Sequence, residues 1–215
     1  MKIQTNSKLL MIGDSITDCG RTRPVADSHS GELGNGYVGL IDGLLNATCP
    51  QQGIRVVNMG IGGDTVRDLK ARWQTDVLDL QPDWLSILIG INDVWRHFDG
   101  LVPMDGLVSM AEYEHTLVEL IDRTQPRLHE LVLMTPYFVE PNRKEPMREM
   151  MDQYGDVVRR LAKKYGTVLV DTQVTFDTVL KYLQPTALSS DRVHPNLTGH
   201  LILAHAFLQA IGYQW

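Results

Sequence analysis

Cysteine is scarce in this chain, with only Cys19 and Cys49 among its 215 residues. That excludes a framework of several disulfides, and a chain that is 43% hydrophobic can build a core without one. Reduced thiols, as in a cytoplasmic protein, are the expectation. Long apolar runs are missing as well. Leu9 to Ile12 is too short for a secretory or membrane-spanning segment, and Gly13 and Asp14 interrupt it. Positive charge is in deficit: 20 Lys and Arg against 26 Asp and Glu leave a net charge of -6. That balance argues against a general phosphate-binding surface, so neither nucleic acid nor a membrane is an expected partner.

Several signature motifs are also absent. There is no Gly-x-Ser-x-Gly elbow, no Walker sequence and no His-Glu-x-x-His helix. Gly34-Asn35-Gly36-Tyr37-Val38-Gly39 formally matches a dinucleotide fingerprint, but it follows a polar loop rather than a strand, so it is set aside. His29, His97, His115, His129, His200 and His205 form no obvious ligand cluster, so surface or structural roles are expected, with no metal and no cofactor.

What is present is an alternation of short β-rich runs with longer helical segments, the pattern of parallel strands joined by crossover helices. The near-continuously apolar runs Leu9–Ile12, Ile54–Asn58, Leu85–Ile89, Leu131–Thr135 and Val168–Asp171 are expected to form five strands buried on both faces. Val66, Leu69, Trp73, Val77 and Leu80 recur at steps of three and four, which makes one helical stripe that Pro82 helps to end. Further helices are expected over Gly36–Ala47, Met110–Arg123, Met147–Lys164 and Asn196–Ile211. The longest irregular stretch, Gly20–Asn35, suits a loop beside a functional site. The expected fold is one domain over residues 1–215, an α/β three-layer α/β/α sandwich with a five-stranded parallel, flavodoxin-like sheet.

In open sheets of this kind, ligands bind beyond the carboxyl ends of the strands. The first strand runs into Gly13-Asp14-Ser15-Ile16, where Ser15 can be a nucleophile or simply a helix N-cap. The second runs into Gly60-Ile61-Gly62-Gly63-Asp64-Thr65, where Gly63 can present a backbone N–H to an anion or merely shape a capped turn. The third ends in Gly90-Ile91-Asn92-Asp93, and an Asn92 amide there can donate to a developing oxyanion or belong to a turn. Asp191-Arg192-Val193-His194 sets a carboxylate three residues before an imidazole, so one can orient the other. Singly, each motif has a structural explanation at least as good as a chemical one. Jointly, they fall on one rim of the expected sheet, where a serine hydrolase needs nucleophile, base, orienting carboxylate and oxyanion donors together.

In these blocks, Gly13-Asp14-Ser15-Ile16, Gly63, Gly90-Ile91-Asn92-Asp93 and Asp191-Arg192-Val193-His194, the chain resembles the SGNH, or GDSL-like, hydrolases. Over Lys8–Arg21, Arg55–Trp73, Pro82–Arg96, Pro146–Gly155 and Asp191–His200 it is similar to the intracellular bacterial acetyl-xylan esterases of that superfamily. The resemblance implies a catalytic triad of Ser15, Asp191 and His194, with Ser15, Gly63 and Asn92 as oxyanion donors. It implies an acetylated xylo-oligosaccharide or related acetyl ester as substrate, and a homo-oligomer with an octamer among the candidate assemblies. A lysophospholipase or thioesterase would use the same triad with a longer acyl channel, and a non-catalytic carbohydrate-binding or assembly subunit could keep the fold. Trp95 and Arg96 follow the third strand and can approach substrate, whereas Trp73 and Trp84 suit packing. One departure is Ser190, where the relatives tend to carry an aromatic residue. A smaller side chain there implies a reshaped acyl pocket.

Overall fold

The computed structural model describes residues 1–214 of the chain. Its strands are β1 (Lys8–Gly13), β2 (Ala26–Asp27), β3 (Arg55–Asn58), β4 (Trp84–Leu88), β5 (Glu130–Met134) and β6 (Val168–Val170). They form one sheet in the order β2-β3-β1-β4-β5-β6. All neighbours are parallel except β2, which runs antiparallel to β3. The central strand β1 has Leu9, Leu10, Met11 and Ile12 fully buried, because helices cover both faces of the sheet.

The expected five-stranded sheet is therefore corrected to six strands. The additional strand, β2, lies inside the stretch expected to be an irregular loop. Two residues are too few to show an alternating pattern. Tertiary partners hold the strand instead: Asp27 takes a bidentate contact from Arg55 at 2.5–3.0 Å, and the Ser28 hydroxyl accepts from the Val56 N–H.

The helices are α1 (Ser15–Asp18), α2 (Tyr37–Thr48), α3 (Val66–Trp73), α4 (Ile91–Asp99), α5 (Met110–Thr124), α6 (Pro146–Tyr165), α7 (Thr172–Val179) and α8 (Leu197–Ala210). One layer packs α2 and α7 against α8, and the other packs α3 against α5 and α4 and α5 against α6. The stripe Val66, Leu69, Trp73 and Val77 is fully buried, with α3 continuing through a π-helical turn at Gln74–Leu78. Trp73 and Trp84 pack in the core as expected, and each indole N–H finds a partner, Thr124 Oγ1 and Gln4 Oε1 respectively, at 2.8 Å.

Among the helices of two turns or more, two had no counterpart in the apolar periodicity. Buried polar residues interrupt the pattern in both: Asn92 and Asp93 in α4, and Thr172 and Gln173 in α7. Both helices begin directly after the carboxyl end of a strand, where polar groups are kept for purposes other than packing. Among the described residues no helix is long and apolar enough to cross a membrane.

Candidate active site

The carboxyl ends of β1, β3 and β4 meet at one rim of the sheet. At Gly13 the chain passes so close to β4 that a Cβ would stand 2.1 Å from the Leu88 carbonyl oxygen, which only glycine avoids. Asp14 then caps α1, its carboxylate accepting from the Ile16 N–H at 3.0 Å. Capping by Asp14 leaves the hydroxyl of Ser15, the first residue of α1, available for another partner. Ser15 Oγ lies 3.0 Å from His194 Nε2, and His194 Nδ1 lies 2.7 Å from Asp191 Oδ2. A carboxylate only accepts, so in the neutral imidazole Nδ1 carries the proton and the Nε2 lone pair faces the serine hydroxyl. The orientation is that of a base able to take a proton from Ser15.

Asp191 is fixed from several sides. Its Oδ1 accepts from the Ser189 hydroxyl and from the N–H groups of Val193 and His194 at 2.8–2.9 Å. Burial pushes the Asp191 carboxyl up, but these donors and the His194 ring outweigh it and hold the group well below the usual carboxylate range. The loop itself is closed at its base by a bridge between Ser189 and Pro195, and Asn196 both caps α8 and donates to the Ala187 carbonyl at 2.8 Å. Its outer turn passes through Arg192 in the left-handed region, with φ of 66°. The segment after β5 anchors that turn. Val139 N–H donates to the Arg192 carbonyl at 2.8 Å, Arg192 pairs with Glu140 at 2.7 Å, and its guanidinium stacks 4.8 Å over the Phe138 ring.

Across from the imidazole lies the glycine-rich turn after β3. A Cβ at Gly62 would come 3.8 Å from Ser15 Cβ, so this turn borders Ser15. The Gly62 N–H is taken by Asp18 and the Asp64 N–H by the Ile61 carbonyl, whereas the Gly63 N–H has no partner among the described residues. Gly63 holds φ of +88°, a conformation glycine adopts without strain. Asn92 is 3% exposed, and one amide hydrogen goes to the Asp64 carbonyl at 2.9 Å, leaving the second to point elsewhere. Gly63 and Asn92 line the same cavity, of about 280 Å3. The backbone N–H groups of Ser15 and Gly63 and the Asn92 amide are thus donors without a full set of protein acceptors beside one hydroxyl, a suitable arrangement for a tetrahedral oxyanion.

Residues that no motif announced hold these parts in register. Arg72 donates to the carbonyls of Gly13 and Met59 and to the carboxylates of Asp64 and Asp76 at 2.7–3.0 Å, joining the turns that carry Ser15 and Gly63. Arg21, 5% exposed, donates to the Gly60 carbonyl at 2.6 Å, which places the Gly20–Asn35 stretch against the glycine-rich turn. Beneath Ser15, burial pushes the Asp14 carboxyl up to about 7, with Asp93 adding to the rise, and burial likewise lifts Asp93 to about 7 against the Val66 N–H. The only clue in the sequence to Arg72 was its place on the polar side of the α3 stripe, which any solvated arginine would share.

Trp95 brings its ring 5.9 Å from that of His194, edge-on. Arg96 lines the Gly63–Asn92 cavity and pairs with Asp99 at 2.5 Å. Ser190 is exposed and is not among the residues lining that cavity, so its small side chain does not shape the cavity wall. A larger apolar groove of about 620 Å3 runs between α7 and α8, lined by Val174, Val179, Leu201 and Ile202, and includes none of Ser15, Asp191 and His194. Among the described residues no group of three or more His, Cys, Asp or Glu could hold a metal ion.

Residues 11–202 match the model of the GDSL-like Lipase/Acylhydrolase family. The chain is 54% identical over its whole length to an acetylxylan esterase of Geobacillus stearothermophilus, covering 98% of that protein. The crystal structure of Axe2, an acetylxylan esterase from the same organism, superposes with a TM-score of 0.97 at 54% identity, over 100% of this chain and 98% of that one. Catalytic mutants of Axe2, S15A, D191A and H194A, have the same TM-score. LAE5, an alpha/beta hydrolase enzyme from the metagenome of Lake Arreo, Spain, is 48% identical, with a TM-score of 0.94 over 99% of this chain and 98% of its own.

Proposed function

Because the chain belongs to the GDSL-like lipase/acylhydrolase family, we propose that it is a serine esterase removing acetyl groups from acetylated xylo-oligosaccharides through an acyl-serine intermediate. The observation that carries this reading is the unbroken series Ser15 Oγ, His194 Nε2, His194 Nδ1, Asp191 Oδ2, with contacts of 3.0 and 2.7 Å and the tautomer set by the carboxylate. The relationship to acetylxylan esterases at 54% identity supports the substrate class.

In this mechanism His194 takes the Ser15 proton as Oγ attacks the ester carbonyl. Asp191 keeps the ring in place and stabilises the imidazolium. Oxyanion charge falls to the N–H groups of Ser15 and Gly63 and the Asn92 amide. His194 then gives the proton to the leaving sugar oxygen as the C–O bond breaks, and water, losing a proton to the same imidazole, attacks the acyl-serine; that proton passes to Ser15 Oγ as acetate leaves. Side-chain exposures of 46% for His194 and 41% for Asp191 leave room for a carbohydrate leaving group at that edge. Trp95, beside the imidazole, offers the sugar a ring face, and Arg96 offers a donor to the substrate.

A lysophospholipase or thioesterase, with its longer acyl channel, has less support, since charged Arg67, Asp68 and Arg96 border the cavity at the oxyanion donors. The cytoplasm suits the two free thiols, Cys19 and Cys49. Assembly into a homo-oligomer is supported by the exposed Val174, Leu197 and Leu201 beside the α7–α8 groove.

Substitution of Ser15 by Ala tests the reading directly. Hydrolysis of acetylated xylo-oligosaccharides should be abolished while the circular dichroism spectrum and the melting transition stay those of the parent. Wild-type turnover by the variant would refute the triad.

A further inference from the structure

Besides the start of α4, the cavity beside Gly63 and Asn92 has walls from two parts of the chain distant from each other. One is the first turn of α3. The other is the connection between α4 and α5, from Val102 to Val108. That connection has little regular structure, and yet three successive carbonyls in it are each captured by a side chain. Arg67 Nη1 donates to the Gly106 carbonyl at 2.6 Å and Nη2 to the Leu107 carbonyl at 3.1 Å. His97 Nε2 and the Tyr154 hydroxyl both donate to the Val108 carbonyl at 3.0 Å. The tip of the same connection is open, with Leu101 and Met104 exposed by 75% and 89%.

Of these side chains, Arg67 is the one that spans the cavity's two walls. It stands in the first turn of α3, close in sequence to Gly63, and its guanidinium is clamped by Glu112 of α5 through contacts of 2.5 and 2.7 Å. The planar fork, with five donors, serves a carboxylate and two carbonyls at once, which a lysine ammonium cannot reproduce. With Arg67 and Glu112 exposed by 42% and 36%, the pair adds little to global stability. Its consequence is geometric.

The occupant of this cavity follows from the tetrahedral adduct. The oxyanion faces Gly63 and Asn92, and the leaving oxygen must lie against His194 to receive its proton. The cavity is lined by both of those donors and by no residue of the 189–195 loop, so the substituent left for it is the acyl group. Resting on the esterase reading above, we propose that Arg67 is a positioning residue for acyl-chain selectivity: by holding the Gly106 and Leu107 carbonyls against α3, it fixes the far wall of the acyl cavity and keeps the cavity short.

The test measures kcat and KM on 4-nitrophenyl acetate, butyrate and octanoate for the parent, Arg67→Met, Arg67→Lys, Glu112→Gln and Ser15→Ala. In Arg67→Met the butyrate-to-acetate ratio of kcat/KM should rise about tenfold, the scale on which a pocket discriminates one or two methylenes. The change should come through a lower KM for butyrate rather than through kcat on that ester. Arg67→Lys, which keeps the charge without the fork, should fall between Met and the parent. Glu112→Gln, which loosens the clamp without removing the arginine, should shift the ratio in the same direction. A purely structural role would lower the rates on all three esters together. That outcome, or an unchanged ratio in both Arg67→Met and Glu112→Gln, would overturn the proposal and leave the esterase reading intact, provided Ser15→Ala is inactive. Parent-like rates in Ser15→Ala would sink the esterase reading and this proposal with it.

Discussion

Asn92 illustrates what a single residue does here. Its amide is oriented by one hydrogen bond to the Asp64 carbonyl at 2.9 Å, which leaves the other hydrogen for an acceptor in the cavity that Asn92 lines. Replacing it with Ala should lower kcat on an acetyl ester by roughly a hundredfold to a thousandfold, the range found for loss of one oxyanion donor. KM should move little, because the donor acts mainly once charge has developed. Steady-state kinetics on the purified variant checks this, and a kcat within about threefold of the parent would remove Asn92 from the oxyanion site. Ser15 shows how far sequence reading reached at this scale. A serine after a strand suggested a nucleophile or a cap, and the choice between them rested on a neighbour: Asp14 takes the Ile16 N–H, so the Ser15 hydroxyl has no capping duty. Asp191 and His194 were legible because their spacing is local. Arg72 and Glu140 were not, because their partners lie far away in sequence and a lone arginine or glutamate has no pattern of its own.

Among the elements, α6 and α7 support the 189–195 loop through one buried arginine. Arg148 is 1% exposed and donates to Asp177 at 2.8 and 2.9 Å, to Asp152 at 2.9 Å and to the Glu140 carbonyl. Glu140 in turn pairs with Arg192, which lies between Asp191 and His194 in the chain. Burial pushes the Asp177 carboxyl up, and the Arg148 guanidinium outweighs it, holding the group below its ordinary range. Substituting Met at 148 leaves Asp177 with the exposed Arg143 as its remaining ion-pair partner among the described residues, so the expected cost is about 3–5 kcal/mol, that of breaking a buried pair. Urea unfolding would show it as a lower midpoint with an unchanged slope. An unshifted midpoint would mean that the network carries no stability. At this scale the apolar periodicity identified the long helices and the central strands. It passed over α4 and α7, whose buried faces carry Asn92, Asp93, Thr172 and Gln173, and the two-residue β2, whose pairing depends on the contact between Asp27 and Arg55.

Taken whole, the molecule is tied together from its first elements to its last at His200. The ring of this α8 residue accepts the Tyr37 N–H on Nδ1 at 3.2 Å, so Nε2 carries the proton that faces Cys19 Sγ at 3.2 Å. Burial lowers its pKa from 6.5 to about 4, with His194 adding to the fall. The folded pKa is the depressed one, so between pH 6.5 and about 4 the unfolded chain holds a proton that the native ring refuses. The contribution of His200 is therefore complete above pH 6.5 and is lost as pH falls toward 4, at up to about 1.4 kcal/mol per pH unit. His200→Gln keeps an acceptor and a donor but cannot titrate. Unfolding free energies measured across pH 4–7 should fall less steeply in this variant than in the parent, and identical slopes would contradict the assignment. The sequence by itself determined the alternation of buried strands with amphipathic helices, and hence the rim where Ser15, Gly63, Asn92, Asp191 and His194 collect, because burial periodicity and glycine or capping preferences are local properties. Only the tertiary structure decided the tautomer of His194, the Arg72 and Arg148 networks and the cavity wall held by Arg67. Each depends on which distant groups a buried or clamped polar atom meets, and the cost of leaving such an atom unpaired is set by the folded environment rather than by the chain around it.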